Sequence, residues 1–191
     1  REIDLLEEVA RIHGYNKIPA RANIGVKLNQ ENKFARIVEK VKRIISGMGY
    51  HEVITDSIVE NTQDHYAGIW SDNGCIRIIN PIRQDGAHLR KTMIHNLLKV
   101  KKHNQNYGIE LTNIYELSKV YLGQKTGEPP EEKECLCILG EEGFLPLKGI
   151  VETILLYLNI NQVLESAPYR SDLFTPEKSA ELKLGGKVVG Y

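Results

Sequence analysis

The sequence predicts an α+β fold in which an antiparallel sheet is flanked by helices. Apolar residues at helical spacing alternate along the chain with short β-branched stretches typical of strands. The last residues, 181–191, alternate around a Gly-Gly pair as a hairpin does. A chain of 191 residues is also long enough to bury a real core.

The most regular helical pattern covers residues 33–48, where apolar side chains recur at i, i+3, i+4 and i+7. A second helix is predicted over residues 146–158, with a proline in its first turn, where the missing N–H has no cost. Between them we expect a long helix that includes Leu89 and ends by Tyr107, and a short helix over residues 61–66.

Strands are predicted where β-branched and aromatic residues alternate with polar ones and turn residues follow. The segments that satisfy this pattern before the final hairpin are residues 51–59, 75–80, 111–122 and 134–139.

Composition excludes several function classes. The chain has 25 basic and 25 acidic residues, so no net field steers it toward nucleic acid or an anionic membrane. No stretch approaches the roughly 20 apolar residues that span a bilayer. Three cysteines favour a reducing cytoplasm, and Cys135 and Cys137 lack the second pair that a zinc site would need.

The first helix is predicted near the start of the chain, and its C-terminal end is expected at Gly14 in a left-handed conformation. Its apolar residues share one face and are expected to form a buried stripe of Leu5, Leu6, Val9 and Ile12.

Three acids, Asp4, Glu7 and Glu8, fall at the beginning of this helix, and two interpretations stay open. In one, Asp4 is the N-cap and Glu7 completes a capping box, so that the acids only stabilise the helix end. In the other, the three carboxylates bind a hard cation such as Mg²⁺. A capping box makes no use of Glu8, so Glu8 separates the two interpretations.

Residues 3–19 read I-D-L-L-E-E-V-A-R-I-H-G-Y-N-K-I-P. This run resembles the signature D-L-x-E-E-V-A-R-x-x-G-Y-[DN]-x-I-P of the bacterial phenylalanyl-tRNA synthetase beta subunit. Residues 80–121 are similar to the family's N-P-[LI]…[LM]-R…L-L…N stretch and its F-E-x-G-x-V strand, and residues 146–158 to its L-K-G-x-V-E helix. Departures include Ile94-His95-Asn96 in place of Leu-Pro-Gly, and Ser118 in place of Gly.

The resemblance implies a class II aminoacyl-tRNA synthetase-like core. Residues 1–20 would end a preceding small helical domain, and residues 21–191 would form the catalytic-like module, truncated at its C-terminus. Asp4, Glu7 and Glu8 would bind a Mg²⁺ shared with the alpha subunit, although a further family Asp lies upstream of Asp4, so the site would be incomplete here.

The resemblance also implies partners. The beta chain would work in a heterotetramer of two alpha and two beta chains. The alpha subunit would bind ATP and attach phenylalanine to tRNA(Phe), which would be bound by the whole complex.

Catalytic groups of a class II centre are not recognisable in this chain. A class II centre needs an Arg-x-Glu strand and a later arginine to neutralise the phosphate charge of ATP. The Arg-x-Glu strand is not recognisable here, and Arg170 is a single arginine in a loop-like stretch. A glycine-rich phosphate loop and a nucleophile elbow are missing as well. We therefore expect a non-catalytic structural and subunit-interface module. The alternative is a stand-alone synthetase-like ATP-dependent ligase, and a plain RNA-binding domain is disfavoured by the neutral charge.

Overall fold

The computed structural model describes residues 1–20, 23, 25, 32–60, 70, 74–83, 86–110, 112–123, 129–170, 174–175 and 178–191. The chain divides into two compact units, Arg1–Asn32 and Lys33–Tyr191. The described residues form four α-helices and eight strands, and antiparallel pairing predominates. The α+β class predicted from the sequence is confirmed.

The first unit contains helix α1 (Glu2–His13) and a short 3-10 helix (Tyr15–Lys17). Gly14 ends α1 with a φ of 94°, and its N–H donates to the carbonyl oxygen of Ala10 at 3.0 Å. The positive φ confirms the predicted end of the helix, because a residue with a Cβ is strained there.

Two predictions for α1 are wrong. The helix begins at Glu2 with Arg1 as its N-cap and no side-chain cap, so Asp4 and Glu7 do not form a capping box. An acid inside the first turn of a helix is also stabilised by the helix dipole. The positions of the acids alone therefore did not show at which residue the helix begins. The apolar stripe is exposed rather than buried, and 83% of Ile12 is accessible to solvent.

The second unit contains the remaining elements. Its helices are α2 (Lys33–Gly47), α3 (Ile94–Asn106) and α4 (Phe144–Tyr157). Its strands are β1 (His51–Glu52), β2 (Ile58–Val59), β3 (His88–Leu89), β4 (Ile114–Leu122), β5 (Glu131–Leu139), β6 (Leu164–Pro168), β7 (Ala180–Leu184) and β8 (Lys187–Gly190).

The central sheet has the order β1-β4-β5. Strand β1 is parallel to β4, and β4 and β5 form an antiparallel pair from Ile114↔Leu139 to Leu122↔Glu131. Alternate residues of β4 therefore point to opposite faces, so that Tyr115 and Glu116 lie on different sides of the sheet.

Each face of this sheet has its own packing. On one face, α2 and α4 pack against β4 in a buried cluster of Val41, Ile45, Tyr50, Tyr115, Ile150 and Ile154. On the other face, Met93 packs against Val120 and Leu122, with Trp70, Cys135 and Cys137 beside them. The helical patterns predicted over residues 33–48 and 146–158 are confirmed by α2 and α4.

The region between α2 and β4 differs from the prediction. Residues 51–59 form two short strands rather than one, and residues 75–80 form only the bridge Arg77↔His88. Leu89 lies in β3, where it pairs with Ile58, and α3 begins only at Ile94. The apolar spacing of Leu89 fitted a helix, but a strand partner was available only in three dimensions. The predicted helix over residues 61–66 lies outside the described residues.

A separate sheet, β6-β7-β8, completes the unit. Gly185 and Gly186 connect β7 to β8 with φ values of 55° and 77°, which confirms the predicted hairpin. Within the described part of the chain, every helix is too short or too polar to cross a membrane.

Candidate functional site

The acids singled out from the sequence lie on α1 and are exposed. Glu8 forms an ion pair with Arg11. Glu7 and Glu8 follow Asp4 by one helical turn, at i+3 and i+4, so each of them neighbours Asp4 on the helix surface. No three His, Cys, Asp or Glu side chains come together as a metal-binding group among the described residues.

The apolar face of α1 is exposed to solvent. None of the twelve residues of the helix is buried. The exposed side chains of the stripe are Leu5, Leu6, Val9 and Ile12. An amphipathic helix is stabilised mainly by packing of such a face, so this stripe is suited to a partner surface.

Helix α2 carries a second apolar stripe, which is covered along only part of its length. Val41 and Ile45 are buried against α4 and the sheet, whereas Phe34 and Ile37 remain about half exposed. Basic residues lie beside the stripe, and Arg43 is paired with Glu39. The first two turns of α2 therefore present apolar surface that continues directly from the core.

A buried ion pair lies on the opposite face of the sheet. Arg90 follows β3 and Glu116 lies in β4, and the two residues are 0% and 1% exposed. Arg90 Nη1 donates to Glu116 Oε1 at 2.9 Å, and Arg90 Nε donates to the carbonyl oxygen of Lys119 at 3.0 Å. A buried charge has to be paired and hydrogen-bonded, and this pair meets that condition for Glu116.

Thr55 and Asn96 extend the ion pair into a network. Thr55 Oγ1 donates to Glu116 Oε2 at 2.6 Å and accepts from Arg90 Nη1 at 2.8 Å. Asn96 Nδ2 donates to Thr55 Oγ1 at 3.0 Å and to the carbonyl oxygen of Asp56 at 2.9 Å. We call these four residues, Thr55, Arg90, Asn96 and Glu116, the buried polar network.

Arg90, Asn96 and Glu116 stand out in the sequence only as parts of motifs, and Thr55 belongs to no motif. The sequence does indicate that Glu116 needs a partner, because it is a single acid between apolar residues of a predicted strand, and a buried charge has to be paired. The identity of that partner could not be inferred, because Arg90 and Glu116 are 26 residues apart.

The thiols of β5 lie on the same sheet face as the network. The three cysteines form no disulfide. Burial raises the pKa of Cys137 to about 12, and the nearby Glu116 carboxylate adds to the increase. Burial also raises the pKa of Cys135. A thiol held in its protonated form is a poor nucleophile and metal ligand, so neither residue is suited to catalysis.

A cleft of about 430 Å³ lies between the start of α4 and the sheet β6-β7-β8. Its lining includes Phe144, Pro168, Tyr169 and Arg170. The Arg170 side chain is exposed, and the Tyr169 and Phe174 rings stack edge to face with centroids 6.4 Å apart. Arg170, which was predicted to lie alone in a loop-like stretch, is therefore one of the residues that line this cleft.

Comparisons with known proteins agree with the resemblance. A family model described as "Phenylalanyl tRNA synthetase beta chain CLM domain" matches residues 18–191. The chain belongs to the phenylalanyl-tRNA synthetase beta-chain family. It is 32% identical over its whole length to the phenylalanine–tRNA ligase beta subunit of Syntrophus aciditrophicus, and 30% identical over 97% of its length to that of Rhodopirellula baltica. It covers 26% and 28% of those two relatives, so it spans about a quarter of the length of the family's beta chains.

Solved structures support the fold of this member of the beta-chain family. Pyrrolysyl-tRNA synthetase from Desulfitobacterium hafniense superposes with a TM-score of 0.58 at 14% identity, over 82% of this chain and 57% of the synthetase chain. At that identity the likeness concerns the fold alone. The expected aminoacyl-tRNA synthetase-like core is confirmed.

Proposed function

We propose that this chain is the part of a phenylalanine–tRNA ligase beta subunit that supports the alpha subunit without carrying out chemistry itself. In this proposal it works in the cytoplasm, in a complex of two alpha and two beta chains. The alpha subunit binds ATP and attaches phenylalanine to tRNA(Phe). Family membership supports the ligase context, and the surface of α2 supports the interface role.

The observation that carries the interface role is the apolar stripe of α2. Buried Val41 and Ile45 continue along the helix into half-exposed Phe34 and Ile37. An apolar stripe that continues a core outward is what an obligate interface looks like, because such interfaces resemble a domain core divided in two. The exposed stripe of α1 offers further apolar surface in the first unit.

A non-catalytic role is supported by the use of the polar residues of the sheet. Arg90 and Glu116 are fully buried and bonded to each other, so neither reaches a nucleotide. Among the described residues that line the cleft, Arg170 is the one cation, whereas transfer to or from ATP requires several fixed positive groups around the phosphates.

The test is assembly of the full-length beta subunit with its cognate alpha subunit, followed by size-exclusion chromatography with mass determination. The wild-type chains are expected to co-elute as one complex. The double change Phe34→Asp and Ile37→Asp is expected to separate them, because two charges would have to be buried. Leu145→Asp, at an exposed position of α4, serves as the matched control and is expected to leave the complex intact.

An intact complex in the double variant would contradict the interface role of α2. The non-catalytic role is tested separately by phenylalanine-dependent ATP–pyrophosphate exchange. Exchange by the beta chain alone would favour a stand-alone ligase, whereas exchange only in the presence of the alpha subunit supports the proposal.

We also propose that Asp4, Glu7 and Glu8 contribute oxygen ligands to a Mg²⁺ shared with the alpha subunit. Their position within about one turn of α1 supports this role, and binding would have to displace Arg11 from Glu8. Calorimetry with Mg²⁺ is expected to show weak or no binding to residues 1–191 and tight binding to the full complex. Binding that is equally tight with Glu8→Gln in the full complex would remove Glu8 from the ligand set.

A further inference from the structure

The hydroxyl group of Thr55 is fully used within the buried polar network. A hydroxyl has one proton to donate and two lone pairs to accept with. Thr55 Oγ1 donates to Glu116 and accepts from both Arg90 and Asn96, at distances of 2.6, 2.8 and 3.0 Å. It therefore has no capacity for a further bond.

Two other polar atoms of the network lack a partner. Arg90 Nη2, a donor, and Asn96 Oδ1, an acceptor, are buried without a hydrogen-bond partner among the described residues. Arg90 Nη1 and Asn96 Nδ2, the neighbours of these two atoms in their own side chains, both donate to Thr55 Oγ1, so the two atoms belong to the same region of the core. More than nine-tenths of each residue is buried.

Buried polar groups in proteins are almost always hydrogen-bonded to protein atoms or to ordered water, because an unmet donor or acceptor is costly. A bound group that satisfies these atoms has to accept from Arg90 Nη2 and donate to Asn96 Oδ1. Water does both. An anion could accept from the guanidinium, but it would be repelled by Asn96 Oδ1 and by the Glu116 carboxylate, which already neutralises Arg90.

We propose that an ordered internal water molecule binds in the buried polar network, accepting from Arg90 Nη2 and donating to Asn96 Oδ1. The network already connects the segment after β1, the end of β3, the start of α3 and strand β4. The water adds a direct link between Arg90 and α3. The water thus completes the hydrogen bonding of the buried polar network, on the sheet face opposite α2 and α4.

The test is a crystal structure of the full-length protein at a resolution that shows internal waters, with a second crystal soaked in bromide. The expected result is a water peak within hydrogen-bond distance of Arg90 Nη2 and Asn96 Oδ1, with no anomalous bromide signal there. A bromide peak would replace the water with an anion site. A direct bond between the two atoms, or bonds from them to other protein groups, would overturn the proposal.

A variant tests whether the water depends on Arg90 Nη2. Arg90→Lys keeps the positive charge for Glu116 but removes Nη2, so the water is expected to be lost from the density. Arg43→Lys, in the exposed pair with Glu39, is the matched control and should retain it. Retention of the water in Arg90→Lys at unchanged occupancy would show that Nη2 does not hold it. The soaked wild-type crystal decides the question even if the variant fails to fold.

Discussion

Two groups of charged residues, those of α1 and those of the buried polar network, behave in opposite ways. On α1, Glu7 and Glu8 stand in solvent, and the contact between Glu8 and Arg11 is an exposed pair of neighbouring turns. In the buried polar network, Glu116 is removed from water and depends on Arg90. Solvent screens the first kind of pair and leaves the second unscreened. The acids of α1 are easier to notice in the sequence, but they therefore contribute less to stability than Glu116 of β4.

The largest effect is expected from Glu116→Gln. The change leaves the buried guanidinium of Arg90 without its counter-charge, which should cost about 3–5 kcal/mol in the free energy of unfolding. Urea denaturation followed by circular dichroism measures the loss. Glu141→Gln, which removes an exposed pair with Lys101 at 2.9 Å, is the control and should cost less than about 1 kcal/mol. Similar losses in the two variants would contradict the contrast between the regions.

The same contrast applies to apolar residues. Ile45 is 0% exposed, so Ile45→Ala should lower the free energy of unfolding by about 2–5 kcal/mol through lost packing and the cavity left behind. Ile12→Ala, on the exposed stripe of α1, should cost less than about 0.5 kcal/mol in residues 1–191. A large loss at Ile12 under the same urea titration would mean that the stripe is covered in solution.

Alkaline pH provides a third comparison, through Cys137. Burial and the Glu116 charge raise the pKa of this thiol from 9.0 to about 12, so the folded protein favours the protonated form. This contribution to stability is complete below pH 9 and decreases as the pH rises toward 12, by about 1.4 kcal/mol per pH unit. Unfolding free energies at pH 8 and pH 10 should differ more for the wild type than for Cys137→Ala. An identical pH dependence in both proteins would disprove the raised pKa.

The smallest effect is expected on α1 itself. Glu8→Gln removes the ion pair with Arg11, and exposed pairs one turn apart contribute about 0.2–0.5 kcal/mol. The change in stability should be close to the error of a urea titration. A loss comparable to that of Glu116→Gln would show that Glu8 has a buried role.

Much of the fold could be predicted because local patterns carried it. Helices α2 and α4 followed from apolar spacing, and the β7-β8 hairpin followed from Gly185 and Gly186, which adopt the positive φ that the turn needs. Strands β4 and β5 were predicted because each is long enough for its alternation to be visible. The short strands were predicted less well: β2 lies inside the predicted strand over residues 51–59, whereas Leu89 of β3 was expected in a helix. Each has two residues and pairs with the other, so its bounds depend on a partner distant in sequence.

The family could be predicted from the sequence, whereas the contacts of the candidate site could not. The sequence by itself determined the family, through the run over residues 3–19 and the motifs that follow it. It also determined the positions of α2 and α4, because periodicity is a local property of the chain. Only the tertiary structure decided which stripe is buried and which is exposed, and which partner neutralises Glu116. Burial and charge pairing depend on residues far apart in sequence, and their proximity is a property of the folded chain.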